Sequence, residues 1–276
     1  FILGTDPDSD RVGIMIRDKN GEYQVVTGNQ TGVVLLDYLL GAMQRSGKLP
    51  EKPVALKTIV TTEMAKAVAE SYGAACYDTF TGFKFLAEKK DKLEGAGEGK
   101  VVFSYEESYG YMLGDFVRDK DAVTASLALT EMAAYYASKG MTVLDALNAL
   151  YEKHGYYGEK THNLVMPGLD GLKDMAKLMA SLRQTPPREI AGVTVRQFKD
   201  YQDGSVVDCA TGETSAMELS GSNVLRFELA DGTSIIVRPS GTEPKIKVYV
   251  LTKGKDAAER DANLAKYASW VAELKP

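Results

Sequence analysis

Cysteine is nearly missing from this 276-residue chain, which has only Cys76 and Cys209. They form no Cys-x-x-Cys pair and no disulfide framework, so two reduced thiols are the expected state. Histidine is as scarce. His154 in EKHGYY and His162 in KTHNL have no Ser, Cys or acid beside them in a recognisable motif, which leaves surface or packing roles. The single tryptophan, Trp270, falls in a helical pattern and reads as packing. No apolar run approaches the roughly 20 residues of a membrane span, and no basic-then-apolar leader opens the chain. With the reduced thiols, these absences set the expectation of a cytoplasmic protein that meets no membrane. Positive charge is not in excess: 33 Lys and Arg face 38 Asp and Glu, for a net charge of −5. The isoelectric point is about 5.3. A nucleic-acid surface built on bulk charge is therefore not expected, although local basic pockets are compatible with this balance. Gly-x-Ser-x-Gly, Walker loops, internal repeats and low-complexity tracts are also missing.

What is present is ordinary globular composition, 44% hydrophobic and 26% charged, on a chain long enough for two domains. Phe1-Ile2-Leu3-Gly4-Thr5 reads as a short buried strand with nothing before it to pair with. It is expected to lie at a sheet edge or to belong to a longer chain. RVGIMIRD and EYQVVTG flank KNGE, whose Asn20-Gly21 favours a tight hairpin. A helix follows with Val33, Leu36, Leu40 and Met43 on one stripe. Strand and helix then alternate. PVALKTIV, AACYDTF and KVVFSYEES are strands, and TEMAKAVAESYG, the segment from Phe83, DAVTASLALTEMAAYYASKG and TVLDALNALYEKHG are helices. This alternation predicts an α/β unit with a largely parallel sheet, whose ligands bind beyond the carboxyl ends of the strands.

TPPR, 185 to 188, breaks the pattern and reads as a linker. Beyond it, GVTVRQFKDY, NVLRFELADG, TSIIVRPSG and KIKVYVLTKG are strands, with Asp231-Gly232 as a hairpin signal. A last helix carries Leu264, Tyr267, Val271 and Leu274 at helical spacing. The fold class is therefore α/β: a mixed α/β domain followed by a smaller α+β domain with an antiparallel sheet.

Four stretches carry chemistry. GTDPDSDRVG places Asp6, Asp8 and Asp10 within five positions. Hard oxygen ligands suit Mg²⁺ or Ca²⁺ rather than zinc. An EF-hand is excluded, because Arg11 and Arg17 occupy the places of its Gly and Glu. Arg11 can offer its fork of donors to a phosphate beside such an ion. A solvated acidic turn is the other reading. In TGFKF, Lys84 follows a glycine turn and can present an ammonium to an anion at a helix N-terminus, or be a plain surface residue. YEESYGY ends a predicted strand, so Glu106 and Ser108 there can bond vicinal hydroxyls. DFVRDKDA adds Arg118 and Lys120 for phosphate. A charged strand-to-helix connection is the plain alternative for both segments. In RPSGTEPK, Arg238, Ser240, Gly241 and Thr242, with Lys245 after them, combine an anion nest, two hydroxyls and a guanidinium. A Pro/Gly hairpin turn needs fewer of these groups.

In this order, DPDSDR, TGFKF, EESYGY and RPSGTEPK resemble the α-D-phosphohexomutase family of phosphoglucomutases and phosphomannomutases, over essentially the whole chain. The TGFKF and EESYGY forms look more like phosphoglucomutases. The resemblance implies a metal loop at Asp6, Asp8 and Asp10 holding Mg²⁺, and sugar contacts from Glu106 and Ser108. It implies a phosphate cradle of Arg238, Ser240, Gly241 and Thr242, and supporting cations Arg11, Lys84, Arg118 and Lys120. It further implies glucose 1,6-bisphosphate as intermediate and activator, a phosphosugar substrate and no nucleic-acid or membrane partner. Family members have four domains. On that pattern residues 1–27 end domain two, 28–184 form domain three and 185–276 form domain four. The family's Thr-x-Ser-His-Asn-Pro loop, whose serine carries the phosphoryl group, is not in this sequence. The resemblance therefore implies missing N-terminal domains as partner, and an isolated chain without turnover.

Overall fold

The structure is a computed structural model that describes residues 1–167, 170–241 and 243–274. The chain divides into two compact units, Phe1–Gly155 and Tyr156–Pro276.

The first unit opens with three strands, β1 (Ile2–Thr5), β2 (Val12–Arg17) and β3 (Tyr23–Val26), in an antiparallel sheet of that order. Alternation along β2 sends Val12, Ile14 and Ile16 into the core. The sequence suggested a buried first strand, and the structure corrects this. β1 pairs with β2 alone, and Ile2 remains 46% exposed. Only Leu3, opposite Ile14, turns toward the covered face. The Asn20-Gly21 hairpin forms as expected, with Gly21 at φ 89°.

Helix α1 (Gly28–Arg45) starts at a reciprocal capping box between Thr27 and Gln30. Val33, Leu36 and Leu40 are buried, and so are Val34 and Leu35, so the helix is covered on more than the single expected stripe. Strand β4 (Pro53–Thr58), α2 (Met64–Glu70), β5 (Ala75–Thr79), α3 (Phe83–Gly95), β6 (Lys100–Glu106), β7 (Gly110–Met112), α4 (Ala122–Ser138) and α5 (Val143–His154) follow. The second sheet has the order β5-β4-β6-β7. β4 runs parallel to both β5 and β6, and β7 folds back antiparallel on β6. All of β4 is buried, including Lys57. Burial works against the Lys57 charge, and Asp78 at 2.8 Å and Glu63 at 3.3 Å outweigh it, raising the ammonium above its ordinary range.

The second unit contains β8 (Tyr156–Val165), α6 (Gly171–Gln184), β9 (Glu189–Ile190), β10 (Val193–Asp200), β11 (Ser205–Asp208), β12 (Thr214–Ala216), β13 (Leu225–Leu229), β14 (Ser234–Pro239), β15 (Lys245–Gly254) and α7 (Ala257–Glu273). Its antiparallel sheet runs β12-β11-β10-β13-β14-β15-β8, with β9 paired to β10. Leu178, Met179 and Leu182 of α6 and Tyr267 and Val271 of α7 pack with Phe227, Val237, Val248 and Val250. The unit boundary differs from the expected break at residue 185. β8 pairs along its whole length with β15, and α6 contributes to the same core, so 156–184 belong with the second sheet. TPPR is a connector inside that unit. The long antiparallel pairing of β8 is non-local, which is why local sequence pattern did not separate it.

Both thiols are free. Burial pushes the Cys76 thiol up to about 12. His162 sits on β8 opposite Val248, and burial lowers its imidazole below the ordinary range. Among the described residues no helix is long and apolar enough to cross a membrane.

Candidate phosphosugar site

In the first unit, the acidic loop is docked on the β6–β7 turn. Val12 N–H donates to the Tyr109 carbonyl at 3.2 Å, and Arg11 bridges Gly110. Asp6 faces back into its own loop. Its Oδ1 accepts from the N–H groups of Asp10 and Arg11, each at 3.2 Å. Desolvation works to raise this carboxyl, and those N–H groups outweigh it, so it lies below the usual carboxylate range. Asp10 Oδ2 takes an ion pair from Lys120 Nζ at 2.8 Å, while its Oδ1 is buried without a hydrogen-bond partner. Asp8 is exposed. Among the described residues no three His, Cys, Asp or Glu side chains converge to hold a metal ion. The donor chemistry of Asp6, Asp8 and Asp10 suits Mg²⁺, but the arrangement does not form its cage. Backbone N–H groups and Lys120 supply the compensating charge that the opening stretch of carboxylates requires.

Glu106 ends β6 and is buried, and Ser108 Oγ donates to its Oε1 at 2.8 Å. The turn that holds them is strained. Tyr109 has φ 65°, outside the range that aromatic residues favour. Gly110 follows, and a Cβ there would lie 2.7 Å from Phe83, 3.1 Å from Lys120 Cδ and 3.2 Å from Glu106 Cγ. A side chain at 110 would therefore push apart three groups that the turn brings together. Gly28 plays the same part from α1, where a Cβ would meet the Glu107 carbonyl oxygen at 2.1 Å.

Lys84 stands exposed in the first turn of α3, its ammonium 4.7 Å from the Phe85 ring centroid. Arg118 does not join the Glu106 group. It pairs at 3.1 Å with Asp91, and both side chains are exposed. Lys120 does join that group, about 15% exposed and held by Asp10 and Asp119. Arg11 is exposed beside the turn.

In the second unit, Arg238 lies next to the end of β14 and Ser240 opens the loop to β15. Ser240 N–H donates to the Lys245 carbonyl at 2.8 Å. Gly241 is exposed at the tip, and Thr242 lies outside the described residues. The register adds a residue that sequence reading missed. Lys247 lies directly opposite Arg238 on β15, and both are half-buried. The signal was available in RPSGTEPKIK, where a tight hairpin places Arg238 and Lys247 on one face. Lys245 pairs with Glu243 instead. Sequence reading also passed over Lys90 and Asp115, an ion pair at 2.7 Å between α3 and the connection that leads to α4.

The fold is that of phosphohexomutase domains three and four. Parafusin, a phosphoglucomutase from Paramecium solved in its open form, superposes with a TM-score of 0.65 at 19% identity, covering 99% of this chain and 45% of that one. N-acetylphosphoglucosamine mutase from Aspergillus fumigatus, solved with GlcNAc-6P and magnesium, gives a TM-score of 0.52 at 12% identity over 98% of this chain and 51% of that one. The profile described as phosphoglucomutase/phosphomannomutase alpha/beta/alpha domain III matches residues 27–154, and the C-terminal domain profile of the same family matches 166–264. A phosphoglucomutase of Staphylococcus aureus is 36% identical over 256 residues, covering 93% of this chain and 45% of the relative. The chain belongs to the phosphoglucomutase/phosphomannomutase family and comprises its C-terminal domains. It spans about half the length of the curated relatives it matches.

Proposed function

We propose that this chain is the C-terminal part of a phosphoglucomutase that interconverts glucose 1-phosphate and glucose 6-phosphate. In the full reaction, a phosphoserine on domains outside this sequence gives its phosphoryl group to O6 of glucose 1-phosphate. The serine P–O bond breaks as the O6–P bond forms, and the O6 proton leaves to a base. Glucose 1,6-bisphosphate then turns over and returns its O1 phosphoryl group to the serine. The second unit's part is to hold the phosphate that is not moving. Arg238 and Lys247 supply paired positive charge, while Ser240 and the Gly241 backbone supply donors. The first unit's part is sugar recognition. Glu106 accepts from a hydroxyl and Ser108 can donate or accept, so adjacent hydroxyls are gripped in either orientation of the bisphosphate. Lys120, Lys84 and Arg11 offset charge around the moving group, while Arg118 stays with Asp91 outside it. Mg²⁺ appears in the Aspergillus relative. Here Asp6, Asp8 and Asp10 are the hard-oxygen residues that would hold such an ion, which would offset phosphoryl charge, although their side chains do not converge in this chain by itself. Cytoplasmic residence, with no nucleic-acid or membrane partner, belongs to the same proposal.

The observation that carries this reading is the cross-strand pair Arg238–Lys247. Two cations directly opposite each other disfavour the sheet, and an anion between them removes that cost. The test is calorimetric titration of the chain with glucose 1-phosphate beside Arg238→Ala. Binding that falls at least about ten-fold in the variant supports the reading. No binding by the unaltered chain, or equal binding by both, sinks it.

A further inference from the structure

Lys90 on α3 is only 1% exposed, and its ammonium sits 2.7 Å from Glu94 Oε1 and 2.7 Å from Asp115 Oδ1. The second Asp115 oxygen accepts from Lys100 Nζ at 2.6 Å. Glu94 is shared in turn, accepting from the Val101 N–H at 3.0 Å. Asp115 belongs to residues 113–121, which join β7 to α4 without regular structure. The same connection carries Arg118 and Lys120. Its far end is fixed where Asp121 N–H donates to the Tyr111 carbonyl at 3.0 Å and the Asp121 side chain caps α4.

No ladder of backbone hydrogen bonds sets the path in between. Side-chain pairs set it, and they differ in strength. Arg118–Asp91 joins two exposed groups and is weak. Lys90 cannot be left uncompensated, because a buried ammonium without a partner is far costlier than a solvated one. Its demand for carboxylate falls on Glu94, from its own helix, and on Asp115, from the connection. The connection is thereby drawn onto α3 at one fixed point, five residues before Lys120. Lys120 then reaches Asp10 at 2.8 Å and lines the space at Gly110 beside Glu106.

We propose that Asp115 is a positioning residue of the phosphosugar site: clamped by the buried Lys90, it sets the 113–121 connection so that Lys120 stands beside Glu106. The inference rests on the functional reading that Lys120 and Glu106 meet substrate. Asp115 itself touches α3 and Lys100, and acts on substrate only through the path of the chain.

The test compares Asp115→Asn, Asp115→Glu and Lys90→Met in the full 276-residue chain. Asp115→Asn leaves Lys90 paired with Glu94, and Lys90→Met fills the buried space with an apolar chain of similar length. Amide hydrogen exchange reports the order of residues 113–120, calorimetry reports affinity for glucose 6-phosphate, and thermal melting checks the fold. The expected result for Asp115→Asn is exchange in 113–120 at least about ten-fold faster, with α3 unchanged, and affinity about five- to ten-fold weaker. Asp115→Glu should restore both, and Lys90→Met should shift both in the direction of Asp115→Asn by a smaller factor. Unchanged exchange in 113–120, or faster exchange with unaltered affinity, overturns the proposal and leaves the functional reading standing. An unaltered chain that binds no phosphosugar overturns both.

Discussion

Arg238 on β14 and Lys247 on β15 face each other across an antiparallel pair, and neither makes an ion pair with a described residue. Several other cations of the second unit are matched: Arg226 with Glu228 at 2.8 Å, Lys199 with Glu228 at 2.8 Å, and Arg183 with Asp200 at 2.6 Å. The Arg238–Lys247 pair stands at the mouth of the loop that carries Ser240 and Gly241.

Lys247→Met should therefore separate binding from stability. Loss of one charge-assisted contact is expected to weaken glucose 1-phosphate about ten-fold. The urea midpoint should hold or rise, since a like-charge pair is relieved. Calorimetry and urea unfolding read the two quantities. A lower midpoint with unchanged affinity would give Lys247 a purely structural role.

Glu106→Gln is expected to weaken glucose 6-phosphate about ten-fold while affinity for inorganic phosphate stays the same. On the proposed reading Glu106 serves the hydroxyls and Arg238 the phosphate, so the two ligands distinguish them. Parallel loss of both ligands would contradict that division.

Gly28→Ala should cost about 2 kcal/mol, in the range for forcing an atom into a filled space. The added methyl would stand 2.1 Å from the Glu107 carbonyl oxygen. Chemical denaturation measures the cost. Weaker glucose 6-phosphate binding should accompany it, because the displaced atoms belong to the Glu106–Tyr109 turn. A fully stable variant with unaltered binding would contradict the close approach.

The pH dependence of the 113–121 connection follows from Asp115. Hydrogen bonds from Lys100 and then Lys90 lower its carboxyl from 3.8 to about 2. A carboxyl held low in the folded chain adds stability above its ordinary range, and that contribution disappears as pH falls toward the folded value. Exchange in 113–120 should be pH-independent above about 5 after correction for intrinsic rates, and should loosen between about 4 and 2. Asp115→Asn should show no such transition. Loosening that begins near neutrality would point to another group.

Much of this was legible in the residues themselves. Helices α1 to α5 and α7 announce themselves by spacing, while α6 and the Thr27–Gln30 capping box of α1 went unread. RPSGTEPK, EESYGY and TGFKF point to the family because their residue types are dense, local and in its order. Short-range signals of this kind are written in consecutive residues, so the sequence by itself determined the class of the fold, the family and the set of polar groups. What it could not determine depends on which distant residues meet. β8 joined the second unit only through pairing with β15, and the first strand proved exposed because one neighbour covers it. Asp6, Asp8 and Asp10 read as metal ligands, and only the structure shows their neighbours in this chain: backbone N–H groups for Asp6, solvent for Asp8 and Lys120 for Asp10. Arg118 was spent on Asp91, and Lys247 gained meaning only from its register against Arg238. Charge compensation and strand register are settled by long-range packing, where burial decides which ion must find a partner. Only the tertiary structure makes that choice.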